Sequence, residues 1–315
     1  MSVANPWLWF AVVLFAAFTQ TIRNMAQRSL SGQAGMLGAT LARFLYGIPF
    51  AFAGMLLVQN LWGEPWRLPP FTVAYIAWLF LGAATQAIAT AMLLAAMKHG
   101  NFVVSVTYSK TEVLQVAFFG AVFLHELPSV LSLAGMVVAL AGVILLMRAK
   151  MSPAAAAGQT RTWGGFSPSA WFGLGAGACF AIAAIGYRAA ALELMAVSGA
   201  PAWHVSTWSV LLAQIMQSAG VMAWLLVRNR AAIVAVFSGW RVSLTAGCAG
   251  ALASLGWFLA YALQTPANVR AVGMVEVVFS YVVSRRLLSE GVTQMEKAGL
   301  LLVVAGAVGT CIGAA

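Results

Sequence analysis

EVLQVAFFGAVFLHE, residues 112–126, and EVVFSYVVSRRLLSE, residues 276–290, decide the reading of this chain. Each begins and ends on a glutamate, and the second pair follows the first at one fixed offset (276 − 112 = 290 − 126 = 164). Gly135 and Gly142 map onto Gly299 and Gly306 at the same shift, each preceded by an alanine (Ala134, Ala141, Ala298, Ala305). So many matches at one offset are the mark of an internal duplication. The repeated unit is hydrophobic, and duplicated hydrophobic units recur among membrane transporters.

Apolar residues make up 62% of the chain and charged residues 8%, too few charges to cover a water-soluble domain. The chain is therefore expected to be an all-α integral membrane protein whose partner is the lipid bilayer. Its 17 bases against 7 acids sit singly at the ends of apolar runs, which suits membrane anchoring and speaks against nucleic acid as a partner. Cys179, Cys248 and Cys311 lie inside apolar segments without metal-ligand spacing, so no metal or other cofactor is expected. The first apolar run starts at Trp7 with no base before it, and is read as a retained membrane helix rather than a secretory signal.

About 20 mostly apolar residues are needed to cross a bilayer as a helix. Ten stretches qualify: Trp7 to Ile22, Gly35 to Val58, Phe71 to Met97, Phe102 to Leu124, Val130 to Met147, then Ala170 to Tyr187, Trp203 to Val227, Val242 to Leu263, Ala271 to Leu288 and Val292 to Ile312. Residues 149–169, rich in Ala, Gly and Pro, read as a linker between a first repeat (1–148) and a second (170–315). Five helices per repeat is an odd number, so two repeats that fold alike must be inverted in the membrane. The small residues 134, 135, 141 and 142 recur every seven positions on one helix face, which predicts close helix packing. The odd-numbered connections carry twelve bases (Arg23, Arg28, Lys98, Arg148, Lys150, Arg161, Arg228, Arg230, Arg241, Arg285, Arg286, Lys297) and the even ones three (Arg67, Arg188, Arg270). That bias predicts cytoplasmic odd connections and both termini outside.

An ionisable side chain near the bilayer centre costs on the order of 3 kcal/mol, so each needs a partner or a wet cavity. Glu112, Glu276, Arg43 and Lys110 are such residues. On a continuous fourth helix Tyr108, Glu112 and Gln115 would share one face, with Lys110 about 200° from Glu112. Two readings stand: the glutamates are locked in buried ion pairs with Lys110 or Arg43, or they face the transport path and take up protons as coupling ion. The polar neighbours of Glu112 make it the favoured carboxylate for the second. Arg43 could pair with a glutamate or bind a substrate carboxylate. Glu126 and Glu290, beside Pro128 and Gly291, are read as orienting short turns, and Arg23 and Arg188 as interfacial anchors ending the first helix of each repeat. Gln20, Gln86, Thr90, Gln214, Trp257 and Tyr261 are further candidates for a cavity wall; the last two, one turn apart, form an aromatic face for an apolar or cationic ligand, or else face lipid. His99, His125 and His204 are isolated and no catalytic motif occurs, so an enzyme is not expected. A membrane enzyme would need a convergent nucleophile and base, and a non-transporting scaffold would not need matched mid-membrane carboxylates.

The two glutamate-bounded stretches, each followed by a short turn and a Gly-rich helix (AGMVVALAGVILL from Ala134, AGLLLVVAGAVG from Ala298), resemble the helix-end signature of the drug/metabolite transporter superfamily, in its ten-helix EamA-type branch. The resemblance covers essentially the whole chain. It implies an inverted-repeat permease of the bacterial inner membrane that exports, less often imports, small metabolites such as amino acids or amphipathic compounds, frequently by proton exchange. Relatives often carry proline just after the first glutamate, where this chain has Val113 and Val277, which predicts straighter fourth and ninth helices here. The family's usual orientation has both termini in the cytoplasm, against the charge count.

Overall fold

A computed structural model describes residues 7–61, 68–99, 108–149, 168–288 and 293–314, without side chains at 94, 97–99 and 283–288. Arg67, Lys150, Arg161, Glu290, residues 102–107 and most of the linker lie outside the described residues, as do the side chains of Lys98, His99, Arg285 and Arg286.

Among the described residues every regular element is a helix: α1 Leu8–Leu45, α2 Ile48–Leu61, α3 Val73–His99, α4 Glu112–Phe123, α5 Val130–Ala149, α6 Pro168–Ser198, α7 Ala202–Arg228, α8 Arg230–Ser238, α9 Trp240–Leu263, α10 Pro266–Gly273, α11 Glu276–Leu288 and α12 Gln294–Gly313. Seven stretches are long and apolar enough to cross a membrane, the first being α1 and α2 together over 54 residues. The ten expected spans map onto these helices once that fold-back is counted as two, and once the fourth and ninth are seen to be shorter pieces, α4 and α10 with α11.

Three expectations are corrected. The first helix of each repeat does not end at its arginine: α1 runs past Arg23 to a bend at Gly35, and α6 runs past Arg188 to Ser198. Gly35 has φ 67° and ψ 172°, a region open in practice to glycine alone, so the chain turns there without a loop. The ninth helix begins at Pro266, a residue preorganised for the first turn of a helix, rather than at Ala271. Third, α4 and α11 are not the straight ends of long helices. Each starts at its glutamate, just after a two-residue interruption.

The helices form two compact units, and both take helices from each half of the sequence. One comprises residues 1–87 and 186–264. In it α1 packs along α9 and also touches α7 and α8, while α2 packs on α7 and α9. Leu30 and Ala34 before the bend, and Ala39 and Ala42 after it, close on Val236 of α8, which fixes the bend by burial. Small residues bring α1 and α9 together: a Cβ on Gly247 would lie 2.5 Å from the Tyr46 carbonyl carbon, and one on Gly256 2.8 Å from Ala16 Cβ.

The other unit comprises residues 88–185 and 265–315. Its main contact is α5 on α12, and α10 packs on α4, α5 and α12. The expected close-packed glycine faces meet each other here. A Cβ on Gly135 would lie 2.7 Å from the Gly306 carbonyl, and one on Gly142 2.7 Å from the Gly299 carbonyl. Outward apolar side chains such as Phe118, Phe123, Val137 and Leu301 are more than half exposed, as suits contact with lipid.

Candidate functional site

The interruptions before Glu112 and Glu276 are the same structure. Before Glu112, Thr111 N bonds Tyr108 O, Val113 N bonds Lys110 O, and both Leu114 N and Gln115 N bond Thr111 O. Before Glu276, Val275 N bonds Val272 O, Val277 N bonds Met274 O, and both Val278 N and Phe279 N bond Val275 O. Every donor and acceptor is displaced by 164. The tightened i→i+3 bonds replace the α-helical ladder, so neither proline nor its absence at Val113 and Val277 decides the break.

A helix that restarts inside the membrane leaves free amides at its new N-terminus, and each glutamate occupies that first turn. There the helix dipole favours a carboxylate by about 0.3–2 kcal/mol. The complementary end is used as well: Arg270 stands in the last turn of α10 and donates to the Glu112 carboxylate. Glu276 Oε2 faces Lys110 Nζ at 3.8 Å. Each glutamate is therefore paired with a base from the opposite half of the sequence, Glu112 with a side chain 5% exposed and Glu276 with one 12% exposed. The ion-pair arrangement is observed, with Arg270 in the place where Lys110 or Arg43 had been considered for Glu112.

The common face of Tyr108, Glu112 and Gln115 is interrupted, because the backbone tightens at Lys110 and Thr111. Gln115 turns toward α6 instead: its Nε2 donates to Thr111 Oγ1 at 3.1 Å and lies within 3.5 Å of the Leu174 carbonyl. Gly177 leaves the room for it, since a Cβ there would stand 3.4 Å from that nitrogen. Glu126 lies in a turn, as expected, after His125 in the left-handed region (φ 56°), with its amide returning to the Gly120 carbonyl.

Arg43, Gln86, Trp257 and Tyr261 belong to the other unit, where they form a second polar group. Tyr187 on α6 donates to Gln86 Oε1 at 2.7 Å and accepts from Gln217 Nε2 at 3.1 Å. Trp257 and Tyr261 are buried and stacked at 6.3 Å, so the lipid-facing alternative is set aside, and Trp257 Nε1 donates to Gln20 Oε1 at 2.8 Å. Arg188 is not simply an interfacial anchor: its Nη1 donates to the carbonyls of Tyr261 and Ala262, closing the C-terminus of α9. Gln214 is buried on α7 beside Gly47, whereas Thr90, further along α3, falls in the glutamate-bearing unit.

Sequence reasoning passed over Arg270, Tyr187 and Gln217. The duplication itself points to the first, because residue 102, where the fourth span begins, maps by 164 onto Pro266 and so draws Arg270 into the ninth span. Gln217 is one turn from Gln214 on an otherwise apolar helix, which marks a polar face. Tyr187 has no such signal.

Residues 7–148 match the family model described as the EamA-like transporter family. A solved structure, described only as "Crystal structure of protein", shares the fold with a TM-score of 0.68 at 14% identity, covering 98% of this chain and 96% of that one. No curated protein matches the sequence. Residues 7–148 thus carry the likeness to the EamA-like transporter family, which lies in the drug/metabolite transporter superfamily, and the apolar helices suit a multi-pass membrane protein.

Proposed function

We propose that this chain is a secondary transporter of the bacterial inner membrane that exports a small metabolite, an amino acid or an amphipathic compound, by alternating access coupled to protons. Its architecture on this reading is two inverted five-helix repeats, residues 1–148 and 170–315, joined by a linker. One observation carries the proposal: two helices are broken in the same way 164 residues apart, and each restarts on a glutamate, buried at 112 and 12% exposed at 276, paired with a base of the other repeat. Half-helix ends carrying charge at mid-membrane are what alternating-access carriers use to hold ions and substrates. The chemistry is a competition. A proton added to a glutamate turns the carboxylate into a neutral acid, frees its base, and removes the attraction holding that state closed; loss of the proton restores the pair.

The reciprocal contacts of α5 and α12 support the repeat relation. Gly135 meets Gly306 and Gly142 meets Gly299, so exchanging each residue for its repeat mate turns one contact into the other, as a two-fold axis requires. Purified protein in proteoliposomes, loaded with candidate metabolites, tests the function with and without an imposed pH difference. Wild type is expected to accumulate substrate against its gradient only when the pH difference is present. Glu276→Gln should leave substrate exchange and abolish accumulation, and adding Glu112→Gln should not restore it. Normal pH-driven accumulation by the double variant would refute the mechanism.

A further inference from the structure

We propose that the end of the first unit built from the bend of α1 and from α8 seats an anionic phospholipid, its phosphate held by Arg241 and one acyl chain lying along Ile22 and Met25. The site is separate from the glutamates and independent of the transport reading.

Two connections meet at this end. Leu30 and Ala34 of α1 close on Val236 of α8, and a Cβ on Gly239 would lie 3.0 Å from Leu30 Cδ1. Arg28, Arg228, Arg230 and Arg241 are all exposed. The stretches that build this end, residues 1–63 and 194–275, contain no aspartate or glutamate, so nothing within them balances the four bases. The helix between Arg230 and Arg241 is itself two-sided: Ala232 and Val236, one turn apart, are buried, whereas Val234 and Phe237 on the other side are more than half exposed. Trp224 and Trp240 are exposed at its two ends. Bases and aromatic rings gathered in this way are the make-up of a helix lying in the layer of lipid headgroups.

Beside α8 an open groove of about 410 Å³ runs between α1 and α9. The two helices are antiparallel here, because Gly256 meets Ala16 and Gly250 meets Arg23, so Ser29 and Arg241 share the end of the groove nearer α8. Ile22, Met25 and Ser29 stand at i, i+3 and i+7 on one face of α1, which makes the wall apolar along its length and polar at that end. Val242 continues the apolar wall on α9. The Arg241 guanidinium lies 5.5 Å from the centre of the Trp240 ring, a contact that uses its flat face and leaves its N–H edge for a phosphate. Thr245 already donates to the Arg241 carbonyl at 3.1 Å, so the hydroxyl offered to the phosphate is that of Ser29. A free phosphate would use the polar end alone. The apolar remainder asks for hydrocarbon, and a zwitterionic headgroup would bring a cation among four bases.

The test uses the purified full-length protein, stripped of lipid in a neutral detergent and titrated with dioleoylphosphatidylglycerol, dioleoylphosphatidylcholine or glycerol 3-phosphate. Native mass spectrometry reads the lipid retained, and melting temperature is followed in parallel. Wild type is expected to retain phosphatidylglycerol in preference to phosphatidylcholine, to melt higher with it, and to ignore glycerol 3-phosphate. Arg241→Gln should bind phosphatidylglycerol about tenfold or more weakly, with partial retention in Arg241→Lys. Arg230→Gln, whose side chain does not line the groove, should lose about fivefold at most, the effect of one charge near an anionic surface. Equal retention of the two lipids by wild type, or an equal response to glycerol 3-phosphate, would overturn the proposal whatever the variants do. Equal weakening by Arg241→Gln and Arg230→Gln would overturn it too, by reducing the seat to a diffuse field.

Discussion

Replacing Gly142 by alanine should destabilise the protein, although alanine is the better helix former. The added Cβ would stand 2.6 Å from Val303 N and 2.7 Å from Gly299 O, where ordinary contact begins near 3.4 Å. Both obstacles are backbone, so α12 itself must retreat by about 0.7–0.8 Å, a gap large enough to forfeit a quarter to a half of each dispersion contact it opens. Overpacking of this kind costs about 1–3 kcal/mol, and the propensity gain of alanine over glycine returns about 1 kcal/mol, so the difference spans about 0–2 kcal/mol, with the upper part expected because both obstacles are backbone. Gly309 on α12 is the internal control: its Cβ would meet only Gly135 Cα at 3.7 Å, so Gly309→Ala should be neutral or stabilising. Because Gly142 and Gly299 share one contact, the Gly142→Ala, Gly299→Ala double variant should lose less than the sum of the singles, by at least about 0.5 kcal/mol. Reversible unfolding in detergent gives all these values. Equal stability of Gly142→Ala and wild type, or strict additivity in the double variant, would refute the packing argument.

Arg270→Gln should cost about 3–5 kcal/mol by leaving Glu112 buried without its base, and adding Glu112→Gln should recover most of it; an Arg270→Gln protein as stable as wild type would sink the pairing. A reporter active only in the cytoplasm should work when inserted at Gln159 and fail at the C-terminus, and the opposite pattern would overturn the orientation. Taking Arg23, Arg188 and Arg270 out of the charge count as residues engaged within the protein leaves eleven bases against Arg67, which strengthens the expectation.

Helical class and the glycine contact were legible in the sequence because they depend on composition and on a spacing that recurs at one offset. The breaks were not. YSKTEV holds no strong helix breaker, and VGMVEV has only Gly273 at the end of α10, so the break common to both is a tertiary choice that places helix ends beside charges. Arg270 was hidden for the same reason: reading the ninth span as one continuous apolar run stopped it at Ala271 and left the arginine in a loop. Glu112 and Glu276 were found because a mid-membrane charge stands out wherever it occurs, but a carboxylate's partner is a long-range fact that no local pattern encodes. Arg43 stood out likewise, and no ion pair among the described residues includes it.

The two glutamates, equivalent by sequence, are not equivalent in their surroundings. Glu112 is held by a guanidinium in direct contact, with its side chain 5% exposed, whereas Glu276 faces an ammonium at 3.8 Å and is 12% exposed. A planar guanidinium can hold a carboxylate through paired hydrogen bonds, while an ammonium at this distance offers mainly charge. Within the proposed mechanism, a proton on Glu276 releases Lys110 while the direct contact of Arg270 with Glu112 is kept. The polar face that favoured Glu112 in the sequence also no longer exists, since Gln115 is turned toward α6. Within the proposed mechanism Glu276 is the carboxylate that cycles and Glu112 the one that holds the fold. Glu276→Gln should then keep the stability of wild type and lose pH-driven accumulation, while Glu112→Gln should lose stability first. Full pH-driven transport by Glu276→Gln, with loss only in a well-folded Glu112→Gln, would reverse the assignment.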